Sequence, residues 1–315
     1  VQRDSVSPAA VAIAYALVCL VWGSTYLFIK LGVEVLPPFF LGAVRFSIAG
    51  VILVAACLAT GRRLPGDRRT FARAALVGIL LLTIGNGLLN LSEQHLSSGL
   101  AALLVATFPI WTTVIARFGR GAERLGPVGW IGLGVSLGGV ALLVRPFESG
   151  VESSWTGVAA VITASLMWAI GTVYARRRLV GVDPFGASAV ETLVAGPLMF
   201  VVYFLLERGE PIVWNGQAWL AVLYLAIMGS VVGFTAFVFI TAHMTSSKVG
   251  TYAYVNPVVA VLLGWMVLDE RVTWRLVLGG VTILAGLLLV YLARVRERPP
   301  DRVPAEAVCE APRQA

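Results

Sequence analysis

Trp22-Gly23-Ser24-Thr25-Tyr26 stands in the first apolar run of the chain, and Trp168-Ala169-Ile170-Gly171-Thr172 stands in a second run far downstream. The two stretches align, and the alignment persists beyond them. At the same spacing Pro38 falls on Pro184, Arg45 on Glu191 and Gly50 on Gly196. One residue out of step, Glu123-Arg124 falls on Glu270-Arg271, Gly132 on Gly279 and Gly139 on Gly286. Between these blocks Ser97-Ser98 and Pro109 fall on Ser246-Ser247 and Pro257, with a one-residue gap. An apolar chain of random order would not keep this register, so the chain is a duplication.

Composition says what kind of unit was duplicated. Of 315 residues, 58% are hydrophobic and 13% charged. Soluble domains carry about 25% charged residues, so too little charge is present to cover a water-facing surface. Mean hydropathy is +0.86. A helix crossing a hydrocarbon layer about 30 Å thick needs roughly 20 apolar residues. Ten such runs are legible, at 10–30, 39–59, 72–91, 98–116, 127–144, 155–175, 187–206, 217–239, 248–267 and 274–293. The first is too long for a signal-peptide core. The expected fold is all-α and membrane-embedded. Residues 1–9 form a short N-terminus, 10–146 and 155–293 form two five-helix repeats, and 294–315 form a disordered tail rich in Pro, Arg and Glu.

Charge orients this plan. With the N-terminus in the cytoplasm, 18 of the 24 Lys and Arg residues fall on the inner side, among them Arg62, Arg63, Arg68, Arg69, Arg73, Arg176, Arg177 and Arg178. Lys30, Arg145, Arg208, Arg271 and Arg275 fall outside, and Arg45 lies within a run. Basic residues concentrate in cytoplasmic loops, so both termini are expected inside. The net charge of +7 then serves topology, and nucleic acid is not an expected partner. Trp130, Trp155, Trp214, Trp219 and Trp274 fall near run ends, as interfacial anchors do. Five helices per copy is an odd number, so the second copy enters the membrane from the opposite side. Inverted repeats place binding sites near the midplane, where the repeats meet.

The residues that repeat also carry a family resemblance. Cys19-Leu20-Val21-Trp22-Gly23-Ser24, Pro38 with Arg45 and Phe46, Ser246-Ser247-Lys248-Val249-Gly250 through Pro257, and Leu268-Asp269-Glu270-Arg271-Val272-Thr273 with Gly279-Gly280 and Ala285-Gly286 resemble the EamA repeat of the drug/metabolite transporter superfamily. The resemblance covers residues 10–293. It implies two inverted EamA repeats in a bacterial cytoplasmic membrane and the export of amino acids or related metabolites. Aromatic amino acid exporters look similar. Arg120-Gly121-Ala122-Glu123-Arg124 departs from the Leu-Gly-Glu that the family prefers at that loop.

Polar residues inside membrane spans face the bundle interior or a cavity. Tyr15, Cys19, Trp22 and Tyr26 form one stripe on the first helix. Thr83, Asn86, Gly87 and Asn90 form another on the third, Trp168 and Thr172 share a face of the sixth, and Tyr252 and Asn256 a face of the ninth. Trp22, Tyr26, Asn86, Asn90, Trp168, Thr172, Tyr252 and Asn256 are therefore the candidate lining of a substrate cavity. The alternative for the asparagines is hydrogen bonding between helices. Pro109 and Pro257, at matching positions, are candidate kinks or hinges. Arg45 and Glu191 are matched charges within spans, so they are expected to be paired or near helix ends, with Glu191 a candidate for proton coupling. Gly134 and Gly138 suggest a close-packed face within the bundle.

The competing readings divide on charge. A multidrug or cation effluxer should place an acid in the first helix, where none precedes Glu34. A sugar-phosphate or nucleoside-type carrier should place Lys or Arg in the cavity stripes, which lack them. Cys19, Cys57 and Cys309 have neither metal nor disulfide spacing, and no catalytic set or phosphate loop falls in the runs. No metal, cofactor or enzymatic reaction is expected. The expected partners are a small molecule and the bilayer. Oligomeric state is left open, and a monomer suffices.

Overall fold

The computed structural model describes residues 7–116, 126–144, 154–244 and 249–297. The Arg120–Arg124 loop, the Ser246-Ser247-Lys248 stretch, Cys309 and the expected tail beyond residue 297 lie outside the described residues. All regular structure described is helical: α1 (Pro8–Val33), α2 (Pro38–Ala59), α3 (Arg68–His95), α4 (Ser98–Ile115), α5 (Pro127–Val144), α6 (Trp155–Arg178), α7 (Pro184–Leu206), α8 (Gly216–His243), α9 (Tyr252–Leu268) and α10 (Trp274–Glu297). The last helix runs to Glu297, so the first four residues of the expected tail are helical.

Eight of these helices are long and apolar enough to cross a membrane, and two apolar helices are shorter, Pro127–Leu143 and Tyr252–Leu268. The ten expected runs are all helical, but two fall short of the length expected for a full crossing. Helix α9 begins at Tyr252, after the expected 248, and Asp269 ends it. That residue sits in the left-handed region at φ 52 and returns its N–H to the Gly264 carbonyl, which closes the helix.

Local chemistry starts the helices. Pro8, Pro38 and Pro184 occupy first positions, where a missing N–H costs nothing. Ser7, Asp67, Ser97, Ser154, Asp183 and Asn215 cap α1, α3, α4, α6, α7 and α8 with side-chain oxygens. Hydrogen bonds from Thr70 hold the Asp67 carboxyl below its ordinary range. Since α2 and α7 begin at Pro38 and Pro184, Arg45 and Glu191 lie about two turns inside them, deeper than expected.

Two helices are unusually long for one reason. Residues Ile79–Asn86 of α3 and Tyr224–Val232 of α8 are π-helical, and each whole helix takes 28 residues. A π turn holds more residues than an α turn, so more chain is needed to cover the same height. The two π segments occupy equivalent places in the two copies. Helix α4 is interrupted between Val105 and Phe108, so Pro109 lies at the start of its second piece rather than mid-helix. Pro257 is the sixth residue of the 17 in α9 and so lies inside the helix, as expected.

The packing is symmetric under exchange of the copies. Helix α2 packs on α7, α5 on α10 and α4 on α9, and each pair is its own image. The contacts of α1 with α8 and α9 are mirrored by those of α6 with α3 and α4. Glycines permit the closest crossings. A Cβ on Gly50 would lie 2.7 Å from Leu193 Cα, and one on Gly196 would lie 2.6 Å from Ser47 N. Gly132 and Gly139 of α5 meet the Gly286 and Gly279 carbonyls of α10 in the same way. The expected face at Gly134 and Gly138 does not pack, since nothing lies within 4 Å of a Cβ at either. The packing falls instead on Gly132 and Gly139, which flank that pair and lie seven residues apart on one stripe.

Glu207, just past α7, ties the copies again. Its carboxylate accepts the Phe39 N–H at 3.0 and 3.2 Å and so caps α2. Burial pushes its carboxyl up to about 7, against opposing help from the Phe39 and Phe40 amides.

Two outcomes follow from this packing. Gly50→Val should cost about 1–3 kcal/mol by overpacking, whereas Gly134→Ala should stay within about 0.5 kcal/mol, both read from thermal unfolding in detergent. A group whose folded value is raised stabilises the fold below its ordinary value and loses that contribution as pH rises. The wild-type unfolding midpoint should therefore fall, relative to Glu207→Gln, as pH rises from 4.5 to about 7.

Candidate functional site

The two π segments and the two repeated tryptophans meet. An α-helix satisfies its own carbonyls, but a π segment leaves some out of register, and lipid offers them no donor. The Trp22 indole N–H of α1 donates to Gly229 O in the π segment of α8, at 3.1 Å. Its repeat partner, Trp168 of α6, donates to Leu81 O in the π segment of α3. Gly233 and Gly85 make room, because a Cβ on either would strike the indole. Each tryptophan thus stitches one half to the π helix of the other.

Around Trp22 the sequence stripes converge. Tyr252 stands edge-on to it, with ring centroids 5.2 Å apart, and Phe234 and Phe237 complete an aromatic cluster. In the orientation that satisfies its donors, the Asn256 amide bonds Tyr252 O at 3.1 Å and Cys19 O at 3.2 Å, which joins α9 to α1. Tyr15 and Thr251 share a hydroxyl bond at 2.6 Å nearby. Phe28 stacks on Tyr224, whose hydroxyl meets Ser24 Oγ at 2.6 Å.

The other candidates separate from this cluster. Tyr26 is buried in the main apolar core. Asn86 donates to Leu81 O of its own helix, and Asn90 to Pro38 O at 3.0 Å. Both asparagines bond backbone, Asn90 across to α2 and Asn86 within its own helix. Thr172 is half-buried one turn from Trp168. Arg45 is buried and donates from Nε to Ser230 Oγ at 3.1 Å in the π segment of α8, with its guanidinium over the Phe46 ring. Glu191 is buried on α7, whose backbone there lies against Gly78 of α3. Arg45 and Glu191 form no ion pair with each other, since each faces a different helix of the opposite half. Among the described residues no group of three His, Cys, Asp or Glu could hold a metal.

The two ends of the bundle differ. At one end α1 packs on the last turns of α3 and the start of α4. Lys30 Nζ donates there to Glu93 O at 2.7 Å and Leu96 O at 3.1 Å. The Glu270 carboxylate accepts from Ser98 N, Ser98 Oγ and Gly99 N at 2.7, 3.0 and 3.3 Å, capping α4 from the opposite half. Ser92, Glu93, Leu96 and Ser98 are all buried. At the other end α6, the counterpart of α1, has no comparable packing on Gly233–His243 or α9 among the described residues, and Thr241, Ala242 and His243 are exposed. Among the described residues, one end is closed by packing that its image lacks. The sequence pattern missed Glu93 because the third run was read as ending at 91. It missed Phe234 and Phe237 because apolar aromatics do not stand out in an apolar run.

A two-copy bundle of helices long and apolar enough to cross a membrane defines the class as a polytopic membrane protein. A model of the EamA-like transporter family matches residues 9–145 and 155–292, and the chain belongs to that family. It is 36% identical over 283 residues to an uncharacterized inner membrane transporter, YedA, of Escherichia coli (strain K12), covering 87% of this chain and 88% of that one. It is 29% identical over 286 residues to an uncharacterized transporter, YdfC, of Bacillus subtilis (strain 168), covering 90% and 91%. A solved crystal structure superposes with a TM-score of 0.65 at 25% identity, covering 93% of this chain and 100% of that chain.

Trp22→Phe and Trp168→Phe keep a ring and remove the indole donor. Each removes a hydrogen bond between the halves, at a cost of about 0.5–1.5 kcal/mol, to be read as a lowered unfolding midpoint; Leu81 O keeps the Asn86 amide, so Trp168→Phe should be the milder of the two. Unfolding like wild type in both would remove this role.

Proposed function

We propose that the protein exports amino acids or related small metabolites across a bacterial cytoplasmic membrane, by alternating access between two inverted five-helix repeats that each cross the membrane five times. Both termini are cytoplasmic in this reading, and the open end of the bundle, beside Arg176 and His243, faces the cytoplasm. The observation that carries it is the Trp22 cluster with Tyr252 and Asn256, set where the halves meet and beside the opening. Aromatic faces suit an ammonium or a flat side chain, and amide and hydroxyl groups suit a carboxylate. Trp22 and Trp168, with Tyr252 and Asn256 between α1 and α9, form the proposed lining, and Thr172 extends it along α6. The break before Pro109 and Pro257 within α9 act as the hinges. Glu191, buried on α7, is the candidate coupling carboxyl, and Arg45 positions the π segment of α8.

Uptake into proteoliposomes over a panel of amino acids, with and without a pH gradient, tests this reading. Movement or competition by at least one aromatic or branched amino acid is the expected result. A panel in which none moves and none competes, while an organic cation or a phosphorylated sugar does, overturns it in favour of those substrates. Glu191→Gln with unchanged pH dependence removes Glu191 from coupling.

A further inference from the structure

Glu93 is a side chain that the transport reading does not use. It lies two residues before the end of α3, at the closed end of the bundle, and is 0% exposed. Neither carboxyl oxygen has a hydrogen-bond partner. Lys30, the cation that acts on it, gives its bonds to the Glu93 and Leu96 main-chain carbonyls instead. Glu270, the other nearby acid, is held by the amides and hydroxyl that start α4. The groups facing Glu93 are thus Lys30 and Tyr26 from α1 and Glu270 from the turn after α9. No charged side chain occurs in α4, the one in α2 is Arg45, bound to Ser230, and those of α6 are Arg176, Arg177 and Arg178 at its opposite end.

A carboxylate with no donor in a dry site is costly, and a neutral acid far less so. The same group would be well placed as an anion if Lys30 turned to it. That requires Lys30 to let go of Leu96, which is the bond closing α1 onto the α3–α4 junction. Two arrangements of one lysine are available: on the carbonyls with the end sealed, or on the carboxylate with water admitted.

We propose that Glu93 is a proton-exchange site at the closed end, its carboxyl neutral while Lys30 latches α1 to the α3–α4 junction and ionised when the latch releases. On release the O–H bond breaks, the proton passes to the entering water, and the carboxylate left behind pairs with the Lys30 ammonium. Opening of this end is thereby linked to loss of one proton. The inference needs neither the identity of the substrate nor the orientation in the membrane.

The test uses full-length protein in detergent, with Cys19, Cys57 and Cys309 replaced by alanine and Leu96→Cys as reporter. Leu96 is 1% exposed, so its labelling by N-ethylmaleimide reports opening. The labelling rate is measured across pH and divided by the rate of the same reporter carrying Glu93→Gln, which cancels the thiol's own titration. The ratio should rise with pH, by up to about tenfold per unit, the limit for one proton. Lys30→Met should speed labelling at every pH. A flat ratio overturns the proposal, as does Lys30→Met labelling no faster than its parent. The neutral amide should be tolerated where the neutral acid is, so failure of both Glu93→Gln and Glu93→Leu to fold also overturns it. Absence of amino acid transport in proteoliposomes would leave this result standing, so the two readings fail separately.

Discussion

Hydrocarbon supplies no hydrogen bonds, and that constraint organises the molecule. Straight α-helices meet it alone. The π segments of α3 and α8 do not, because widening a turn leaves carbonyls without an intrahelical backbone donor. Trp22 and Trp168 supply donors from the opposite half, beside the Asn86 amide and the Ser230 hydroxyl from within the same helices, so an irregularity within one copy is satisfied in part by assembly with the other. The halves are interdependent at the level of single bonds. The aromatic cluster of Phe234, Phe237 and Tyr252 then follows from the position of Trp22. The large indole, fixed by its N–H, leaves walls on which flat side chains pack.

Close approach solves the second problem. Between helices in lipid, association rests on van der Waals contact and a few hydrogen bonds rather than on expulsion of water. The crossings of α2 with α7 and α5 with α10 put glycine against backbone in both directions. Elsewhere polar groups bridge: Glu207 holds the start of α2, and Glu270 the start of α4, each from the other copy. These carboxylates sit at helix N-termini, where unpaired amides and the helix dipole favour them.

The architecture was largely legible in the sequence because two independent periods, apolar run length and internal repetition, agree. Helix starts followed Pro8, Pro38 and Pro184 closely. What the sequence hid was any feature that depends on the opposite half. The π segments leave no composition signal in runs such as Ile79–Asn86. Gly134 and Gly138 have the spacing of a packing face, yet Gly132 and Gly139, which flank them, carry the contact, and only the partner helix decides between the pairs. Among the candidate lining residues, Trp22, Tyr252 and Asn256 come together; spacing put Tyr252 and Asn256 on one face of α9, but not their meeting with Trp22. Asn86 and Asn90 had equally good spacing but are taken up by carbonyls of Leu81 and Pro38. Glu93 was lost through a boundary drawn a few residues early.

The crossing of α5 with α10 is its own image, as is an isologous contact between two identical chains. Joining two such units in one chain keeps them together without demanding that the contact supply all the association energy. Their sequences are then free to diverge at matched places. Arg45 stands where Glu191 does, and Lys30 where Arg176 does. A strictly symmetric pair would give its two end states equal energy. Here the closed end carries a lysine latch and a buried acid, and its image carries neither on the same terms. The imbalance between open and closed ends is thus recorded in the residues where the two copies no longer agree.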